Sequence, residues 1–230
     1  MADSQYSKSY GAGSPLGRAV DYTAEYSPSI LHSIPRASYR QTLDTPEPTN
    51  TDIGMDVWHC YELSWLNPSG KPEVRAARLG VPANSTNIVE SKSLKLYLNS
   101  LNNHRFESEE ALIETITRDL QTALEADVEL RLNPKGINYF SFFANQQQIE
   151  ADTSNSPILI DTLDVDCRVY QRDARLLKVG RKEVVSQQLV SHLLRSFCPV
   201  TSQPDWASIS IVYSGREIDV YTRQKQHFQW

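Results

Sequence analysis

One thiol and one carboxylate stand at either end of the stretch Phe197-Cys198-Pro199-Val200-Thr201-Ser202-Gln203-Pro204-Asp205-Trp206. A thiol in a polarising environment becomes a thiolate nucleophile, and a carboxyl within reach gives or takes the proton that its reaction requires. Pro199 and Pro204 fix their own φ and push the residue before each towards extended geometry. The spacing therefore excludes a helix and predicts that Cys198 and Asp205 sit together on a stiff loop. A single cysteine after an apolar run also fits a small buried hydrophobe. A second constellation, Glu90-Ser91-Lys92-Ser93-Leu94-Lys95-Leu96-Tyr97, puts an acid, two hydroxyls and two lysines at the start of a helix. Glu90 there suits the positive end of the helix dipole, where it could accept hydrogen bonds from an N–H-rich heterocycle. Lys92 and Lys95, beside free helix-start amides, suit phosphate. The same lysines also fit the solvated face of an amphipathic helix.

The elements that must position these groups begin at Met55. Before it, residues 1–54 are rich in Ser, Pro, Tyr and Thr and read as an extension, disordered at its start, whose part from Leu16 to Arg36 packs on the body. Val57 to Leu66 reads as an aromatic-rich strand, Asn67-Pro68-Ser69-Gly70-Lys71-Pro72 as a turn, and Val74 to Val81 as the returning strand. Leu94, Tyr97, Leu98 and Leu101 define one helix stripe. Ser108 caps a second helix, with Glu109 and Glu110 in its first turn and Leu112, Ile113, Ile116, Leu120 and Leu124 inward. Val128, Leu130 and Leu132 alternate as a half-buried strand. This first unit, residues 55–145, reads β-β-α-α-β. The second, residues 146–230, reads as strands at Leu163–Val169, Val184–Arg195 and Ile209–Tyr213, the last ending at a Ser214-Gly215 turn.

Of the 230 residues 40% are hydrophobic and 22% charged, ordinary for a soluble globular protein, which the helices and strands above make α+β, and the net charge of −5 argues against a nucleic-acid-binding surface. There is no membrane-spanning run and no signal-peptide pattern. Cys60, Cys167 and Cys198 are odd in number and far apart, which predicts reduced thiols and a cytoplasmic setting. No metal is expected: Cys-x-x-Cys and His-Glu-x-x-His are absent, and His192 six residues before Cys198 makes a weak zinc pair. Without Gly-x-Gly-x-x-Gly, a dinucleotide would not be held in Rossmann fashion.

Taken together, Glu90 to Tyr97 and Cys198-Pro199 through Gln203-Pro204-Asp205 resemble the signatures of the NADPH-dependent 7-cyano-7-deazaguanine reductases, in their long two-module form. Tyr61-Glu62-Leu63-Ser64-Trp65-Leu66-Asn67 and Ile34-Pro35-Arg36 resemble that form too, and the likeness runs from about Leu16 to Asp219. The resemblance implies a tunnelling fold (T-fold) of two β-β-α-α-β-β modules, a symmetric homo-oligomer such as a homodimer, and a nitrile-to-amine reduction in the route to queuosine in tRNA. It implies Cys198 as the nucleophile that forms a thioimide and Asp205 as the acid. Glu90 and Ser91 would bind the 7-deazaguanine base, and Ser91, Lys92 and Lys95 would face NADPH. No direct nucleic-acid or membrane partner is implied.

After Asp219 the likeness stops. Members of the family continue with a helix, a Phe-His-Glu segment and an Arg-Gly-Gly strand, whereas His227-Phe228-Gln229 has the wrong order and no acid, so no role is carried onto it. The expectation is a C-terminally truncated second module with impaired turnover. The rival from another class is a non-catalytic remnant that keeps base binding or subunit association. A zinc-dependent hydrolase of the same fold would require bound metal.

Overall fold

The computed structural model describes residues 25–40, 54–135, 156–164, 177–197 and 203–220. The strands are β1 (Ser33–Pro35), β2 (Met55–Leu66), β3 (Pro72–Pro82), β4 (Asn87–Val89), β5 (Glu129–Leu132), β6 (Ile158–Leu159), β7 (Val179–Phe197) and β8 (Pro204–Ile218); the helices are α1 (Arg36–Arg40), α2 (Ser91–Ser100) and α3 (Glu109–Leu124). The chain divides into two compact units, Met1–Gln148 and Ile149–Trp230.

In the first unit β2, β3 and β5 form an antiparallel sheet in the order β2-β3-β5. The β2–β3 reversal is built by Asn67, whose side-chain oxygen accepts from the amides of Ser69 and Lys71, both at 3.0 Å. Gly70 closes it at φ 79°, a left-handed value that favours glycine. Leu63 and Trp65 of β2 and Ala77, Leu79 and Val81 of β3 point from one face of this sheet into the core. Leu94, Tyr97 and Leu98 of α2, with Leu101 at its end, meet them there, as do Leu112, Ile116, Leu120 and Leu124 of α3. The β-β-α-α-β order and both leucine stripes are as the sequence predicts. Ile113 is only half-buried, because the i, i+4 series from Leu112 already fills the inward face. Ser108 caps α3 through the Ala111 amide, and Glu125 ends it in the left-handed region.

The 25–40 segment packs on this core through Tyr26, Ile30 and Leu31. Its β1 pairs with β4, a two-stranded sheet too short to show in the sequence pattern. The hydroxyls of Tyr26 and Tyr97 both donate to buried Asp119, and burial, reinforced by that bond, raises the Tyr97 hydroxyl well above its ordinary range.

In the second unit β7 and β8 form a long antiparallel hairpin, with β6 parallel to β7 on its other side. Three expectations change here. The strand expected to open at Leu163 does not: Leu163 closes a 3₁₀ turn, Ile160–Thr162, by donating to the Ile160 carbonyl, and residues 165–169 lie outside the described residues. Ser214-Gly215 is not a chain reversal. The strand runs through it to Ile218, with Gly215 at φ 141° opposite a bulge where the Ser186 amide donates to Ser214 Oγ. Finally, β8 begins at Pro204, so Asp205 stands on a strand rather than a loop. Proline at a strand's first residue loses no ladder hydrogen bond, which is why it does not delay the strand.

Candidate functional site

Backbone pairing delivers Glu90 to its place. The β1–β4 ladder sets Ser33 opposite Val89, and the Glu90 amide then donates to the His32 carbonyl at 2.9 Å. The next residue is the first of α2, and Glu90 is the cap of that helix. Its Oε1 accepts from the Lys92 amide and its Oε2 from the Ser93 amide, each at 2.8 Å. Ser93 Oγ donates to the Glu90 carbonyl at 2.7 Å and accepts from the His32 amide at 3.0 Å. Glu90 is 3% exposed. Its carboxylate is thus rigidly oriented; Oε1 also accepts from the Ser91 hydroxyl at 3.4 Å, and Oε2 retains further acceptor capacity.

This arrangement corrects one expectation. The helix-start amides of Lys92 and Ser93 are not free for phosphate, because the carboxylate before them already accepts both. An anion here would have to be held by lysine ammonium groups instead. Lys95 is available on an exposed face, yet its Nζ lies 3.5 Å from Glu62 Oε2 of β2, an exposed ion pair.

Ser91 and Lys95 line a groove of about 300 Å³ between α2 and β2. Its other wall carries Trp58, His59, Tyr61 and Glu62, where β2 loses regular register with β3 between Cys60 and Leu63. A bulge at this point increases the local twist and turns side chains off the ladder. Desolvation, then the nearby Arg78 charge, lowers the His59 imidazole from its ordinary value. Cys60 also borders the groove, but burial pushes its thiol up to about 11, so it is a poor nucleophile. The groove therefore offers aromatic walls, one hydroxyl and paired opposite charges, a lining suited to a planar polar heterocycle or a nucleotide. Sequence reasoning missed its β2 wall; the signal was there in the aromatic run from Trp58 to Tyr61.

In the second unit Cys198 lies outside the described residues, as do residues 199–202. The strands on either side are well defined: Phe197 stands opposite Pro204, Ser196 opposite Asp205 and Arg195 opposite Trp206. Asp205 is exposed. On the other face of the hairpin, the Arg195 guanidinium sits 5.0 Å from the Phe197 ring centre and 5.6 Å from that of Trp206. Neither Arg195 nor Trp206 was expected at the site, since cross-strand register is invisible in the sequence. His192 Nδ1 is 2.7 Å from Ser208 Oγ, a hydrogen bond within the hairpin. Among the described residues no group of three or more His, Cys, Asp or Glu side chains could hold a metal ion. No helix among them is long and apolar enough to cross a membrane.

Comparison with known proteins gives this site its context. Residues 22–132 match the family described as nitrile reductase, 7-cyano-7-deazaguanine-reductase N-term. The NADPH-dependent 7-cyano-7-deazaguanine reductase of Dechloromonas aromatica is 41% identical over 206 residues, which cover 90% of this chain and 70% of that protein. The protein of the same name from Burkholderia ambifaria is 45% identical over 208 residues, covering 90% of this chain and 72% of that one. Likeness of this extent defines a nitrile reductase by descent. The chain belongs to the family of NADPH-dependent 7-cyano-7-deazaguanine reductases.

Proposed function

We propose that this protein reduces the nitrile of 7-cyano-7-deazaguanine to the primary amine 7-aminomethyl-7-deazaguanine, a step towards queuosine in tRNA. Family membership supports the reaction. The single structural observation that carries it is the groove between α2 and β2, with Ser91 and Lys95 on one wall and aromatic rings on the other. The proposal extends to architecture and setting: T-fold modules over residues 55–145 and 146–230 behind an extension over 1–54, a homodimer, and a cytoplasmic location.

Nitrile to amine is a four-electron change, and NADPH, taken twice, supplies it as two hydrides. The chain's own residues do the rest. The Cys198 thiolate adds to the nitrile carbon, and Asp205 delivers the proton that the nitrogen gains, giving a thioimide. When that carbon has been reduced, its bond to Cys198 Sγ breaks and the thiol is released for the next cycle. Glu90, fixed by the two amides it caps, uses its remaining acceptor capacity for the N–H edge of the base, with Ser91 beside it. Lys92 and Lys95 attract the cofactor's phosphates through their side chains, and Ser91 adds a hydroxyl.

The test is covalent and needs no NADPH. Incubation with the nitrile should add one substrate mass to the intact protein, mapped to Cys198 and absent from Cys198→Ala. Cys60 should stay unmodified, since burial pushes its thiol up to about 11 and keeps it protonated at pH 8. Asp205→Asn should slow the addition by about 10²–10⁴-fold. An adduct that survives Cys198→Ala would end the proposal.

A further inference from the structure

We propose that Asp161 is a positioning residue for this reaction: it clamps a bulge in β7 and so fixes which side chain of that strand stands opposite Asp205. The inference rests on the nitrile-reductase reading above and adds to it a residue far from the motifs in sequence.

The pairing of β7 with β8 shifts once near its reactive end. Ser191 stands opposite Ile209, but Leu194 stands opposite Ala207, so His192 and Leu193 together face Ser208. One extra residue on one strand is a β-bulge, and its amides leave the ladder. Both are satisfied here by side chains. The His192 amide donates to Asp161 Oδ2 at 2.8 Å, and the Leu193 amide donates to Ser191 Oγ at 3.2 Å. Ser191 Oγ, in a residue 3% exposed, itself donates to Asp161 Oδ1 at 2.7 Å. A single carboxylate therefore anchors the whole bulge. It arrives there by strand pairing: Ile158 and Leu159 lie parallel to Leu189 and Val190, and the 3₁₀ turn that follows places Asp161 over the next two residues of β7. Buried Ile160 and Leu189 hold the turn down.

The consequence is chemical. In the observed register Asp205 faces Ser196, while Arg195 lies on the other face between Phe197 and Trp206. Were the extra residue reabsorbed, continuing the Ser191–Ile209 register would put Arg195 directly opposite Asp205. A one-residue slip moves every following side chain to the opposite face. A guanidinium across from the carboxylate would draw it into an ion pair and turn it away from a nitrile nitrogen. The clamp thus keeps the chain's only nearby cationic side chain on β7 between Leu193 and Phe197 away from the acid.

The experiment uses the full chain with Asp161→Ala, Asp161→Asn and Ser191→Ala. Hydrogen exchange at the His192 amide, measured without substrate, should accelerate at least tenfold in Asp161→Ala. In the same variant kcat should fall by about ten- to a hundredfold, as for a small misplacement of reacting groups, with KM for NADPH unchanged. Asp161→Asn can still accept from the His192 amide and can donate to Ser191 Oγ, so it should recover most of both. Ser191→Ala, which leaves the carboxylate in place, should show a smaller loss of the same kind and serves if Asp161→Ala does not fold. Unchanged His192 protection in Asp161→Ala would overturn the clamp. Lost protection with full kcat would overturn the positioning role, as would an Asn variant no better than Ala. If the unmodified chain itself consumes no NADPH, the function reading fails, while the exchange measurement still decides whether the clamp exists.

Discussion

Replacing Glu90 with alanine should destabilise the first unit by about 2–3 kcal/mol. Two amides lose their acceptors, those of Lys92 and Ser93, each now bonded at 2.8 Å. Loss of a helix cap costs ~0.5–2 kcal/mol, and a buried donor left unsatisfied costs ~1–3 kcal/mol. The two figures overlap, because the cap value already includes one lost bond, so they cannot be added in full. Ser93 is completely buried, so no water replaces the lost acceptor at its amide, and the cost lies towards the upper end. Glu90→Gln keeps one acceptor oxygen and presents an NH₂ group to the other amide, for an expected loss of about 1 kcal/mol. Urea unfolding followed by tryptophan emission reads this out, since Trp65 is buried in the same core. With slopes of about 1–3 kcal/mol/M, the alanine variant's midpoint should drop by roughly 1 M or more, and glutamine's by about half as much. A midpoint for Glu90→Ala that matches the unmodified protein would show that the cap is not what holds this helix start.

Two further outcomes follow from the charges. Lys92→Ala with Lys95→Ala should weaken NADPH binding at low salt, with the difference shrinking as salt rises, because exposed charge contacts are screened. Glu62→Gln should act in the opposite direction by releasing Lys95 from its ion pair, and titration calorimetry measures both. Glu109 supplies the pH dependence: its hydrogen bond to Lys135 at 2.9 Å, together with the Arg75 charge, outweighs burial and holds its carboxyl below the ordinary 4.5. A carboxylate lowered in the folded state contributes its full stabilisation above 4.5 and loses it as pH falls through the lowered value. Acid unfolding should therefore be shallower in Glu109→Gln than in the unmodified protein.

The first unit was legible because its periodicities agree with its packing. Leu112, Ile116, Leu120 and Leu124 repeat every four residues, and all four are fully buried. Asn67 to Lys71 announces its turn through the Asn-Pro and Gly residues that favour one. The role of Glu90 was harder to read, because glutamate is not among the usual cap residues, and only its pairing to His32 through β4 shows how the chain is held there. The second unit was less legible for a different reason. Its strands carry irregular register at three places, and bulges break the alternation on which strand reading depends. Pro204 looked like loop chemistry but begins a strand. Asp161 gave no signal at all, since its partners Ser191 and His192 lie about thirty residues away and bind it through a hydroxyl and a backbone amide.

The most direct test of the central claim is NADPH consumption by the purified, folded 230-residue chain supplied with 7-cyano-7-deazaguanine, with the amine product quantified alongside. The account predicts slow but measurable amine formation, two NADPH oxidised for each amine formed, and complete loss of both in Cys198→Ala. A folded chain that binds the base but oxidises no NADPH would contradict it, as would oxidation that persists without Cys198.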